Sequence, residues 1–184
     1  MADPEFLLLG DALWLDFVNT TGARPSVPDL LTDPAAYHRW TKAVKLSPDA
    51  ADTSFEDVLR FRARLHSLAE ALNADRQPPS SAIQAINLRL AGVEGHHQLT
   101  RVNGAWRTQF RSAQAPSALA AIAASAAQTL SDPVVSVRRC AGPDCPLFFA
   151  DGSTQQDRRW CSLNRCGAKL RVERRRGSRI TPVV

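Results

Sequence analysis

Through most of the first 130 residues, apolar side chains recur every three or four positions, the spacing that gives a helix one buried face. Leu13, Trp14, Phe17 and Val18 follow it within residues 11–19. Residues 20–29, with Gly22, Pro25 and Pro28, break the pattern and read as a loop. Thr32-Asp33-Pro34 offers a cap followed by proline in the first turn, and Tyr37, Trp40 and Val44 then share one face. Ser54-Phe55-Glu56-Asp57 resembles a capping box. It opens the strongest helical pattern, Val58, Phe61, Leu65, Leu68 and Leu72. Gln77-Pro78-Pro79 ends that helix, and Ser80 or Ser81 is placed to cap the next, which carries Ile83, Ile86 and Leu90.

The period then changes. Residues 98–102 and 105–110 read as strands flanking Asn103-Gly104, a dipeptide that supplies the positive φ angles of a two-residue hairpin turn. Pro116 begins an alanine-rich helix to about Leu130, with Leu119, Ile122, Ala123 and Ala126 as its buried stripe. Side chains this small imply close packing on a neighbour. Residues 134–137 form a short β-prone run leading into Cys140.

Composition excludes several classes. The chain has 184 residues, 44% hydrophobic and 22% charged, near the globular average, so wholesale disorder is not expected. No apolar run approaches the ~18 residues of a membrane span. The run from Phe6 to Leu9 stops at Gly10, and Asp3 and Glu5 stand where a signal peptide needs positive charge, so a cytoplasmic location is expected. The net charge of +5 is unevenly placed. From Arg138 onward eleven basic residues face four acidic ones, a net of +7, whereas residues 1–137 hold twelve bases and fourteen acids. A basic appendage on a near-neutral body suggests a polyanionic partner, most often nucleic acid; the plain alternative is a solvated tail.

All four cysteines lie in that basic quarter, spaced C-x4-C-x15-C-x4-C as Cys140, Cys145, Cys161 and Cys166. Two close pairs separated by such a loop match a structural zinc site, with sulfurs ~2.3 Å from the metal. Gly142 and Pro143 suit a metal-holding turn, and Ser162 is placed to cap a helix whose inner face carries Leu163, Cys166 and Leu170. Disulfides would require an oxidising compartment, and a metal-free remnant of such a site is the other alternative. Four cysteines saturate zinc and leave no position for water, so the metal is expected to be structural. The expected fold is therefore mainly α: a helical N-terminal domain with one β-hairpin, residues 1–132, and a small C-terminal zinc finger with short strands and a basic helix, residues 133–184. With its own apolar faces and no cysteines, the helical part is expected to be stable alone.

Two stretches carry a family resemblance. Residues 13–20, Leu-Trp-Leu-Asp-Phe-Val-Asn-Thr, resemble the N-terminal signature of the bacterial ABATE domain. Arg138-Arg139-Cys140, Phe149, Asp151 and Arg158-Arg159-Trp160-Cys161-Ser162 through Cys166-Gly167 resemble its usual companion, the CGNR-type zinc finger. Members are described as stress-induced transcription regulators, and the resemblance implies that the four cysteines are the metal ligands. The eponymous Cys-Gly-Asn-Arg is here Cys166-Gly167-Ala168-Lys169. A lysine keeps the charge and loses the two-pronged grip of arginine, which leaves metal binding intact and removes one means of reading a base.

The resulting expectation is a non-enzymatic, zinc-dependent nucleic-acid-binding regulator. Arg158, Arg159, Arg165, Lys169, Arg171, Arg174, Arg175 and Arg176 are its candidate phosphate contacts. The N-terminal domain would sense a ligand or mediate assembly. The alternative is a zinc-stabilised protein–protein adaptor with a basic docking helix. Asp16, Asn19 and Thr20 are expected in structural hydrogen bonds, His96-His97 in a loop, and Trp14, Trp40 and Trp106 in the core.

Overall fold

Caps and prolines set the helix starts in the computed structural model, which describes residues 6–21, 29–50 and 53–168. Helix α1 spans Leu13–Val18, α2 Pro34–Ala43, α3 Phe55–Asn73, α4 Ser80–Ala91 and α5 Ala118–Ser131. Asp33 caps α2 by accepting the Ala36 N–H at 2.7 Å. Ser54 caps α3 through the Asp57 N–H at 3.1 Å. At α4 the cap position falls on Pro79, which makes no side-chain cap bond, and Ser80 is already the first helical residue. Ser80 and Ser81 therefore do not cap. The fixed φ of the preceding prolines starts the helix instead.

The short helix α1 is the hub. Trp14, Leu15, Phe17 and Val18 are all fully buried, so α1 is apolar nearly all round and lies inside the core. It packs against α3, α5 and the last strand. The Phe17 ring sits 5.2 Å from Trp40, 6.3 Å from Tyr37 and 6.5 Å from Phe61, centroid to centroid. Trp14 donates its indole N–H to Thr129 of α5 at 2.9 Å. The alanines of α5 allow the close approach that their size implies, with Ala118, Ala120, Ala123 and Ala126 buried against α1 and α4. On α3 a buried arginine, Arg62, is matched by Thr20 at 2.8 Å and by the Asp29 carboxylate.

Strands β1, Gly95–Val102, and β2, Ala105–Ser112, form an antiparallel hairpin of eight residue pairs. Asn103 and Gly104 have φ of 50° and 82°, which builds the expected type I′ turn. Two expectations fail here. His96 and His97 lie within β1 rather than in a loop. Trp106 is 66% exposed, while Trp14 and Trp40 are in the core. Aromatic identity does not say on which side of the protein surface a residue lies.

A second hairpin pairs β3, Ser136–Arg139, with β4, Phe148–Asp151, from Ser136↔Asp151 to Arg139↔Phe148. Every residue of β4 is buried. Val137, Phe148 and Ala150 belong to the same apolar core as α1, α3 and α5. Phe149, Leu147, Cys140 and Cys161 form a second, smaller core on the other side. The β3–β4 hairpin thus serves two cores at once and covers part of the apolar surface of the helical part. Among the described residues no helix is long and apolar enough to cross a membrane.

Candidate metal centre

The four cysteine sulfurs lie within 4.8 Å of one another. Cys145 and Cys161 are 3.9 Å apart, sulfur to sulfur, and Cys161 and Cys166 3.8 Å. A tetrahedron with zinc–sulfur bonds of ~2.3 Å has edges of about 3.8 Å, so the donor set fits zinc in type, number and spacing. None of the four forms a disulfide.

Two local structures aim these sulfurs. The first pair sits on the loop that joins β3 to β4. Cys140 N–H bonds Leu147 C=O at 2.9 Å, Cys145 N–H bonds Gly142 C=O at 3.2 Å, and Asp144 turns the chain with φ of 56°. Gly142 is required by space. A Cβ there would fall 2.8 Å from Cys166 Cβ and 3.0 Å from its Sγ. The second pair is set by one wide helical turn, Leu163–Gly167, in which the Ser162 carbonyl accepts from both Cys166 N–H, at 3.0 Å, and Gly167 N–H, at 3.3 Å. Ser162 caps this turn through the Arg165 N–H at 3.4 Å, as its sequence position suggests. Leu163, expected on the inner face, is 60% exposed, because the wide turn rotates it away from Cys166.

Electrostatics around the sulfurs favour a cation. The Cys161 thiol beside Cys145 and the Leu147 N–H push Cys145 down to about 5, against the opposing effect of burial. Cys161, tied to Cys145 by the same contact and buried, is pushed up, and burial raises Cys166 to about 11. Sulfurs this close cannot all ionise together without a positive charge between them. Backbone N–H groups of Gly142 and Cys161 also point at Cys140 Sγ, at 3.4 and 3.3 Å, and would stabilise its thiolate.

The candidate arginines have different fates. Arg158 is turned inward. Its guanidinium meets Asp11, donates to Cys161 C=O at 2.6 Å and Trp160 C=O at 2.9 Å, and lies 4.5 Å over the Phe149 ring. Arg159 and Arg165 are exposed, Arg159 with its guanidinium 5.6 Å from the Trp160 ring. Lys169, Arg171, Arg174, Arg175 and Arg176, and with them the basic helix, lie outside the described residues. Arg158 and Arg159, with Arg138 and Arg139 of β3, line an open cleft of about 570 Å³ between the ends of α3 and α5 and the finger.

One site relationship has no local signal. Asn19, at the end of the α1 signature, donates to Phe148 C=O at 2.8 Å and accepts from Phe148 N–H at 2.9 Å across 129 positions of sequence. Asp16 accepts the Gly10 N–H at 2.8 Å, and Gly10 C=O in turn accepts Ala150 N–H at 2.8 Å. The N-terminal signature is therefore the seat on which the finger's hairpin is fixed.

Comparison with known families agrees with this geometry. A family model described as "Putative stress-induced transcription regulator", the ABATE domain, matches residues 11–133. The CGNR zinc finger model matches residues 136–179. No curated protein shows significant similarity to the chain. The chain belongs to the ABATE family and carries a CGNR zinc finger.

Proposed function

We propose that this protein is a non-enzymatic transcription regulator that binds one structural zinc ion per chain and grips duplex DNA through the basic segment that the zinc centre anchors. The observation that carries this reading is the joining of a four-sulfur cluster to the chain's whole charge excess: residues 138–184 hold a net +7, and all four cysteines lie within them. When bound, zinc contributes a fixed cross-link between two loops. The protein supplies four thiolates and no open position, which suits a structural metal and not a catalytic one.

Arg159 and Arg165 stand exposed on the finger itself. Together with Lys169, Arg171, Arg174, Arg175 and Arg176 further along the sequence, they supply phosphate contacts that position the protein without reading bases. Arg158 acts as an internal brace, holding Asp11 and the Cys161 loop.

The test is competition. Full-length zinc-loaded protein is bound to a labelled duplex and challenged with excess unrelated DNA. Displacement supports the DNA reading. A protein that ignores DNA but is held by an acidic protein partner would be an adaptor. Changing Arg174, Arg175 and Arg176 together to Ala is expected to weaken binding to every duplex alike, because phosphate contacts carry no sequence information.

A further inference from the structure

The β1–β2 hairpin stands clear of the helical core. All of β2 and the first five residues of β1 are exposed, and neither strand packs extensively on another element. Residues 95–112 hold three arginines, two histidines and no acid. Cross-strand partners point the same way, so the back of the ribbon carries the rows His96/Arg111, Gln98/Gln109 and Thr100/Arg107. Five of those six side chains are exposed and Thr100 is half-buried. Arg107 and Arg111 have no acidic partner among the described residues. Opposite charges set directly across a ribbon would stabilise it. This face has none and presents only cations and neutral hydrogen-bonding groups.

Those side chains are the types that read base edges. In the major groove of DNA, arginine makes a two-pronged contact with guanine and glutamine with adenine, and threonine serves either. The groove is about 12 Å wide and admits a two-stranded ribbon. Rows on one face of a strand repeat every ~7 Å, about two base-pair steps of ~3.4 Å. The glutamine row lies between the two arginine-bearing rows. The tip is slim, a two-residue turn with φ of 50° at Asn103 and 82° at Gly104. The foot is stiffened from the front, where Phe110 meets His97 edge-on at 5.6 Å and covers Gly95, leaving an added Cβ only 2.4 Å from the ring. A single strand fits less well, because it stacks bases on rings set beside cations, and Trp106 and Phe110 are on the face opposite Arg107 and Arg111. Duplex RNA keeps its major groove too deep and narrow for side chains to read.

We propose that the back of the β1–β2 ribbon enters the major groove of duplex DNA and reads base edges there, with Arg107 and Arg111 on guanines and Gln98 and Gln109 on adenine between them. The proposal rests on the DNA reading above and adds what that reading lacks, a source of sequence preference. The basic segment touches phosphates, which carry no sequence information, and Lys169 lacks the arginine fork. The two contacts are separate. The ribbon joins the body between the end of α4 and the start of α5. The cleft beside the finger is lined by Thr129 and Leu130, at the other end of α5. That helix of 14 residues is about 20 Å long. Substitutions on the ribbon therefore leave the finger in place.

Selection from a randomised duplex pool by the full zinc-loaded chain tests it, followed by fluorescence anisotropy on the selected duplex and on a scrambled one. Selected sites should carry guanines flanking adenine at intervals of about two base pairs. Gln98→Ala with Gln109→Ala should cut the preference for selected over scrambled duplex at least about tenfold. Binding to the scrambled duplex and its salt slope should stay as they were, because no charge is removed. The preference should disappear at the adenine and persist at the guanines. Arg111→Lys keeps the charge and loses the fork, so it should relax one guanine without changing the slope. Thr108→Ala, on the front, should change neither quantity. Far-ultraviolet dichroism and zinc content report that each variant is folded. Duplex affinity with no selected sequence overturns this proposal and leaves the DNA reading standing. So does a preference that the glutamine and arginine changes do not move. No affinity for duplex DNA at ~50 mM salt overturns both.

Discussion

Asn19 pairs with Phe148 as a backbone strand would, its side-chain amide giving one hydrogen bond at 2.8 Å and taking one at 2.9 Å. Both bonds are buried. Replacing Asn19 with Ala strands a buried N–H and a buried C=O on β4. Each such loss costs roughly 1–3 kcal/mol, so about 2–4 kcal/mol of global stability should disappear in urea unfolding. Asn19→Asp keeps the acceptor but sets a buried carboxylate oxygen against the Phe148 C=O, so at neutral pH it should cost at least as much as Asn19→Ala. Equal stability of all three proteins would show that the pairing does not hold the hairpin.

The shared core makes the finger's hairpin part of the helical fold. Val137, Phe148 and Ala150 fill the same cluster as Trp14, Phe17 and Leu65. A chain ending at residue 132 loses that cover. It should unfold without a cooperative transition and bind hydrophobic dye, whereas a chain ending at residue 152 should retain a cooperative transition. A sharp two-state transition of the shorter chain at the full-length midpoint would contradict this.

Asp16 adds a pH dependence. Burial, with the nearby Asp11 carboxylate, raises it from 3.8 to about 6, against the Gly10 N–H bond. The folded state therefore holds this proton more tightly than the unfolded chain, and stability falls as pH rises from about 4 to about 6, with the whole cost present above that. Partial solvent exposure limits the cost to about 2 kcal/mol. Asp16→Asn keeps an oxygen for the Gly10 N–H and carries no charge. Its stability relative to the parent should grow from pH 4 to pH 7 and then level off, as measured by urea unfolding at each pH. A constant difference across that range would rule out Asp16 as the cause.

Zinc removal should act locally first. The loops bearing Cys140–Cys145 and Cys161–Cys166 have one small apolar cluster of their own, so the metal carries much of their folding energy. Chelation, or Cys161→Ser, should expose the loop 140–146 and residues from about 153 onward to proteolysis, while the β3–β4 hairpin stays docked and α1–α5 keep their helical dichroism. Metal analysis of the reduced protein should give about one zinc per chain. An ordered, protease-resistant finger with no metal would refute the site.

Local signals made much of this legible. Asp33-Pro34 and Ser54 start helices where capping physics places them, Asn103-Gly104 turns the hairpin, and cysteine spacing brings four sulfurs together. Long-range facts were not legible. Strand β4 is a four-residue run buried on both faces, so it shows no alternation to mark it as a strand. Asn19 looks like a helix-end residue until its partner 129 positions away is known. Trp106 carries a core residue's identity on an exposed arm, and the inward turn of Arg158 depends on Asp11, far off in sequence.

The central claim is that a zinc-anchored basic segment binds duplex DNA, and salt dependence tests it most directly. Fluorescence anisotropy with a labelled duplex should show log–log affinity falling with salt at a slope of about −4 to −5, the mark of four to six neutralised phosphates. Chelating zinc should flatten the slope by at least about 1 as Arg159 and Arg165 lose their fixed positions. If the zinc-loaded protein has no measurable affinity for duplex DNA at ~50 mM salt, where counterion release favours binding most strongly, the account is wrong.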